Sequence, residues 1–221
     1  MPALIGDYLE KHRALLEPVE AFNEDQIARF GVTPQGVGWN GTEAQELRFQ
    51  QLLRVIDQSA EIDTLEINDI GCGYGALYEY MRKLGWSPAY RGYDVSRKSL
   101  EFARSRQQSQ DGGRQSYEHL QNLQPADYSV ASGIFGMRFG QTAGVWEQYI
   151  LDTLDLVDQN SRRGFSFNML TSYSDEDRKQ PELYYADPCR FFDHCKKQYS
   201  SRVSLLHDYS LFDFTIVVRK A

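Results

Sequence analysis

The spacing of apolar side chains changes character near residue 64. Before it, residues 4–30 carry hydrophobics at helical intervals and predict one or two amphipathic helices, interrupted near Pro18. A turn-rich stretch follows at 31–41. Thr42 then opens a further helix, with Gln45 in the position a capping box requires. In that helix Phe49, Leu52, Leu53 and Ile56 recur at i, i+3, i+4 and i+7, a single buried stripe.

From residue 64 onward strands and helices alternate. Strands are predicted at 64–70, 89–95, 115–119, 128–134 and 164–170, with helices at 76–84, 96–108 and 142–158. Ser96 is placed to cap the second of these helices. A charged insertion, 172–186, precedes a helix capped by Asp187 with Pro188 in its first turn, where a missing N–H costs nothing. Two closing runs, 203–206 and 212–218, are joined by too few residues for a parallel crossover, so the last strand is expected to be antiparallel. The expected fold is a Rossmann-like, doubly wound α/β sheet in three layers, mostly parallel and seven-stranded. The chain reads as one domain, with residues 1–60 a helical cap or lid on a core spanning 62–220.

Composition narrows the function classes. The 221 residues are 41% hydrophobic, enough for one sizeable core. A net charge of −7, with basic residues only in short clusters diluted by acids, argues against a nucleic-acid partner. The three cysteines, Cys72, Cys189 and Cys195, form neither a disulfide framework nor a zinc-ligand spacing and point to a reducing compartment. With no apolar run of membrane length and an acidic, broken start, a cytoplasmic protein is expected, as a monomer or homodimer. No cluster of His, Asp and Glu suggests a metal.

The strongest chemical signal is Asp69-Ile-Gly-Cys-Gly-Tyr-Gly75, at the junction of the first strand with its helix. Glycines at 71, 73 and 75 let the backbone turn tightly and approach a ligand. The spacing is GxGxG, not the GxGxxG of dinucleotide folds. Asp69 would disfavour a phosphate and suits a ligand bearing an ammonium group. Asp94, at the tip of the second strand and 19 residues after Gly75, is placed to accept hydrogen bonds from both hydroxyls of a ribose.

These residues, the strand around 127–135 and the terminal hairpin together resemble the class I S-adenosylmethionine (SAM)-dependent methyltransferases over roughly residues 62–220. The resemblance implies SAM as methyl donor. It puts Asp69 and Gly71 by the methionine end, with Cys72, Gly73 and Gly75 in the loop beneath. Asp94 then falls on the ribose, Val95 against adenine, and Ser132 near the reaction centre. The family's acidic contact to the adenine amino group has its nearest counterpart around Glu118, His119 and Leu120. The Asn/Asp-Pro-Pro-aromatic tetrad of amine-methylating enzymes is missing, and Cys189, although it follows a proline, lies in a helix cap rather than a nucleophile's position.

Methyl transfer asks the protein mainly for alignment and exclusion of water. Aromatic faces suit a sulfonium. Candidates near the strand ends are Trp39, Phe135, Tyr173, Tyr184 and Tyr185. Arg48 is a candidate partner for a carboxylate, Asn168 for polar substrate groups, and His207 with Asp208 the only compact acid/base pair; a solvated arginine and a turn-capping aspartate are the plainer readings. An acidic chain with a short insertion points to a small-molecule acceptor in a biosynthetic step, methylated on oxygen or nitrogen. Three alternatives remain open at this point: cyclisation of SAM to azetidine-2-carboxylate on the same fold, a non-catalytic SAM-fold subunit, and, least favoured, an NAD-dependent oxidoreductase.

Overall fold

The computed structural model describes residues 2–30, 41–57, 59–106 and 114–220. Seven strands run in the order β3-β2-β1-β4-β5-β7-β6. They are β1 (Glu66–Ile70), β2 (Ala89–Asp94), β3 (Gln115–His119), β4 (Ala126–Ala131), β5 (Ser161–Leu170), β6 (Arg202–Leu206) and β7 (Asp213–Arg219). Strands β1 to β5 pair in parallel, whereas β7 pairs antiparallel with both β5 and β6, as the short link before it requires. The helices are α1 (Pro2–Lys11), α2 (Arg13–Phe30), α3 (Thr42–Leu52), α4 (Ala76–Lys83), α5 (Arg97–Arg106), α6 (Ala143–Gln159) and α7 (Pro188–Gln198). The fold class is the one expected, a three-layer Rossmann-like α/β sheet.

Strand periodicity sorts the core onto two faces. Ile67, Tyr90, Tyr128, Val130 and Val217 meet α3, α4 and α5 on one side. Ile70, Tyr93, Ala131, Phe214, Ile216 and Val218 meet α1, α6 and α7 on the other. Both predicted caps form, the side chains of Ser96 and Asp187 accepting from the N–H groups of Ser99 and Cys189, and Thr142 caps α6 in the same way by accepting from Val145 N. The capping box at Thr42 does not form. Gly41 holds the N-cap position without a side-chain bond, and Gln45 instead accepts from the Tyr74 hydroxyl at 3.1 Å.

One layer departs from the usual winding. Between β3 and β4 the chain offers only six residues, with a single 3-10 turn at Leu120–Asn122, where a parallel crossover normally carries a helix. The N-terminal α1 packs against this turn and supplies the missing cover. Buried Asn68, a polar residue inside β1, is explained by the same crossover: its Nδ2 donates to Gln124 O at 2.7 Å, while Gln124 N donates to the Tyr93 hydroxyl.

Candidate active site

The parallel strands all end on one rim, and a pocket opens there between the glycine bend, the tip of β2 and the loop after β4. The bend is held from beneath, because Gly71 N and Cys72 N both donate to Tyr93 O, at 2.7 and 3.0 Å. Gly71 has φ +75° and Gly75 has φ +86°, in the left-handed region. A Cβ on Gly71 would lie 2.2 Å from Ile134 Cγ2, and one on Gly75 2.3 Å from the Tyr117 hydroxyl. Neither position tolerates a side chain, for conformational and steric reasons together.

Two buried carboxylates flank the bend. Asp69 accepts from the Tyr90 hydroxyl at 2.7 Å. Burial pushes its carboxyl up to about 7 against that bond, with the nearby charge of Asp94 adding to the rise. Asp94 accepts from Gly73 N at 2.9 Å through Oδ2 and from Ser96 N at 2.8 Å through Oδ1. Burial raises it too, with the backbone donors of Ser96 and Gly73 opposing. Carboxylates stripped of water in this way favour a cationic or hydrogen-bond-donating ligand.

Ser132 also lines the pocket, and its buried hydroxyl has no partner. Such an orphan costs about 1–3 kcal/mol, which a polar ligand group would recover. The donor set therefore fits a ligand with an ammonium group, a sugar and a further polar end, as SAM has.

Of the residues singled out in the sequence, Asp69, Gly71, Cys72, Gly73, Asp94, Val95 and Ser132 line this one pocket. Gly75 lies just behind it, at the start of α4. Trp39 falls outside the described residues. Several others are placed elsewhere. Arg48 is turned away and buried, its Nε 2.5 Å from Asp213 Oδ2, so its charge is already neutralised on β7. Phe135 is a core residue, 1% exposed and edge-on to Phe167. Asn168 is buried and uses its Oδ1 to accept from Gly133 N at 2.8 Å, which shapes the β4 loop from behind. Tyr173 is 70% exposed beside the His207 ring, and His207 and Asp208 are themselves exposed on the hairpin. Tyr184 pairs with Glu147 and, with Tyr185, borders a separate surface depression. None of these outlying residues lines the pocket of the two carboxylates.

The residues the sequence reading missed come mostly from outside the core motifs. The N-terminal helices contribute Tyr8, Leu16, Val19, Phe22 and Asn23, and α3 adds Gln45 and Phe49. Tyr149 and Thr153 of α6 close another side, with Ile134, Met137 and Phe139 from the β4 loop. Helical periodicity had marked the N-terminal stripe as buried, and nothing in one dimension said against what. Leu120 is in the wall, whereas Glu118 and His119 are not.

No protein-family model matches the chain. It is 49% identical over 162 residues to "Putative methyltransferase Rv1506c" of Mycobacterium tuberculosis (strain ATCC 25618 / H37Rv), covering 72% of this chain and 95% of that protein. Among solved structures it resembles magnesium protoporphyrin IX methyltransferase from Synechocystis PCC 6803 with bound SAH (TM-score 0.62, 12% identity, 94% of this chain and 99% of that one). Human N-acetylserotonin methyltransferase in complex with SAM is similar at TM-score 0.52 and 15% identity, over 98% of this chain and 70% of that one. At such identities these structures speak to the fold, and the bacterial relative to the family. The sheet order, the glycine bend with its two carboxylates and the relationship to the mycobacterial protein together show that this chain belongs to the class I SAM-dependent methyltransferases.

Proposed function

We propose that the protein transfers the methyl group of SAM to oxygen or nitrogen of a small-molecule acceptor, releasing S-adenosylhomocysteine (SAH). The observation that carries this reading is the pair of buried carboxylates, Asp69 and Asp94, on either side of a left-handed glycine bend. SAM bound there supplies a methyl group activated by its sulfonium. Asp69 and the backbone at Gly71–Gly73 hold the amino-acid end, with Ser132 offering its free hydroxyl. Asp94 has lone pairs left over for ribose hydroxyls after serving Gly73 and Ser96. Val95 and Leu120 pack on the base. Leu16, Val19, Phe22 and Phe139 wall the site and exclude water, which is most of what the reaction needs.

A small acceptor is supported by the enclosure of the pocket by α1 and α2 and by its charge. Among the described lining residues there are two acids and no Lys, Arg or His, a poor setting for a polyanion. In this reading residues 1–60 act as the cap on a 62–220 core and the protein works in the cytoplasm; no described helix is long and apolar enough to cross a membrane. The relative and the neighbours are named methyltransferases, which lends nothing to the cyclising alternative.

The test is incubation with methyl-labelled SAM and either the small-metabolite fraction or the macromolecules of a bacterial extract. Label in small molecules together with SAH is the expected result. Label confined to macromolecules, or methylthioadenosine formed from SAM alone, overturns it.

A further inference from the structure

Among the described residues other than glycine, only Phe139 has a positive φ. In the loop after β4 it sits at φ +50°, a left-handed conformation that a bulky side chain rarely adopts. Such a backbone persists only where its surroundings hold it, and it is found where the direction of a side chain serves function. The hold comes largely from main-chain bonds to the charged insertion after β5. Arg138 N donates to Glu182 O at 3.0 Å, Tyr184 N donates to Gly136 O at 2.7 Å, and Met137 bridges Leu183 in antiparallel fashion. Gln141 N closes the turn on Arg138 O at 2.9 Å, and Trp146 Nε1 anchors the start of the loop by donating to Phe135 O at 2.9 Å.

What this scaffold aims at the pocket is a ring. Phe139 lines the cavity and lies edge-to-face with Phe22 of α2, 5.7 Å between centroids at 69°, while packing on buried Trp146 at 6.1 Å. Strand order decides what that ring meets. β1, which carries the glycine bend, lies between β2 and β4. With the ribose of SAM on Asp94 at the tip of β2 and its amino-acid end on the bend, two of the three sulfonium substituents are placed. The third, the methyl group, is left the flank of β4 and α2, and a nucleophile in line with it approaches there.

On this flank the described lining residues Val19, Phe22, Ile134, Met137 and Phe139 are apolar, and Asn23 is a neutral amide. A charged acceptor would lose its hydration there without meeting a counter-charge, and a cation would also face the sulfonium. A third ring suits the edge and face that Phe22 and Phe139 offer.

Resting on the SAM reading above, we propose that Phe139 and Phe22 form an acceptor subsite for an uncharged aromatic compound, whose ring lies against theirs and whose hydroxyl or amino group is turned to the methyl group. The lone pair of that group forms the bond to carbon, and the C–S pair returns to sulfur to give SAH. The acceptor's proton passes to solvent. The insertion after β5 acts on specificity at one remove, by clamping the loop that aims Phe139.

The test begins with calorimetry of SAH on the wild type and its variants. Methyl-labelled SAM is then supplied with the small-metabolite fraction of a bacterial extract, and the labelled product is separated by charge and by ultraviolet absorbance of its ring. Label in an uncharged, aromatic product is expected. With the acceptor of that product, Phe22→Ala and Phe139→Ala should each raise KM at least about tenfold, while SAH affinity stays within about twofold. Phe139→Gly, which relieves the left-handed backbone, should raise KM as much as Phe139→Ala without melting earlier than it. Label in a charged or non-aromatic product overturns the proposal, as does an unchanged KM in the alanine variants. Label in no small molecule while SAH still binds overturns the small-acceptor reading as well, and failure to bind SAH overturns the SAM reading itself.

Discussion

Asp94 Oδ2 accepts a hydrogen bond from the backbone N–H of Gly73 at 2.9 Å, joining the tip of β2 to the bend after β1. Its other oxygen holds Ser96 N at the start of α5. One carboxylate therefore shapes the glycine loop, anchors a helix and still faces the pocket. Ligand affinity and local stability are coupled through this residue.

Replacing it should show both effects. If Asp94 holds the ribose as proposed, Asp94→Ala removes a charge-assisted contact worth roughly 1.5–3 kcal/mol, a loss of at least about tenfold in SAH affinity. It also strips two backbone donors of their acceptor, lowering stability by about 1–3 kcal/mol. Asp94→Asn, which keeps one acceptor oxygen, should recover part of the stability and less of the affinity. Calorimetry and urea denaturation on the two variants separate these contributions.

Asp69 predicts a pH dependence. Burial holds its carboxyl at about 7 in the folded protein, well above the ordinary carboxylate range near 4. Between these values the folded state binds more protons than the unfolded one, so this group makes the free protein less stable as pH rises from about 4 to 7. An ammonium group bound beside it favours the ionised form, so binding expels a proton in that range. SAH affinity should rise with pH up to about 7 and then level off, with protons released when binding is titrated near pH 6 in buffers of different ionisation enthalpy. An affinity independent of pH from about 5 to 8 would contradict the contact.

The Arg48–Asp213 pair joins α3 to β7, with side-chain exposures of 10% and 3%. Breaking it with Arg48→Met leaves a buried carboxylate unpaired and should cost about 3–5 kcal/mol. Arg48→Met combined with Asp213→Leu should cost much less than the two single changes added. A double-mutant cycle by denaturant unfolding measures the difference. Additive losses would mean the two charges act independently.

Gly71→Ala combines a left-handed backbone, disfavoured by about 1–2 kcal/mol for a residue with a Cβ, with a collision against Ile134. Ile134 is itself in the pocket wall. The variant should melt earlier and bind SAH more weakly, whereas Gly85→Ala, at φ +78° with open space around it, should melt earlier with SAH affinity unchanged. Thermal shift with and without SAH distinguishes the two.

The sequence by itself determined the sheet and the half of the pocket that belongs to it. Strand and helix periods are local, the caps at Ser96 and Asp187 need only neighbouring residues, and the bend with Asp69 and Asp94 sits where parallel strands must end. Only the tertiary structure decided the rest. That Arg48 spends its charge on Asp213, that Asn168 braces Gly133, and that Tyr8 meets Thr153 across 145 positions are long-range pairings. Each side chain looked available in one dimension because hydrogen-bond capacity is a property of the residue, while its partner is set by how the layers pack. The missing helix between β3 and β4 is the clearest instance. The predicted strand bounds left a longer link there, and only the packed chain shows six residues between the strands, α1 filling the space and Tyr8 reaching the pocket.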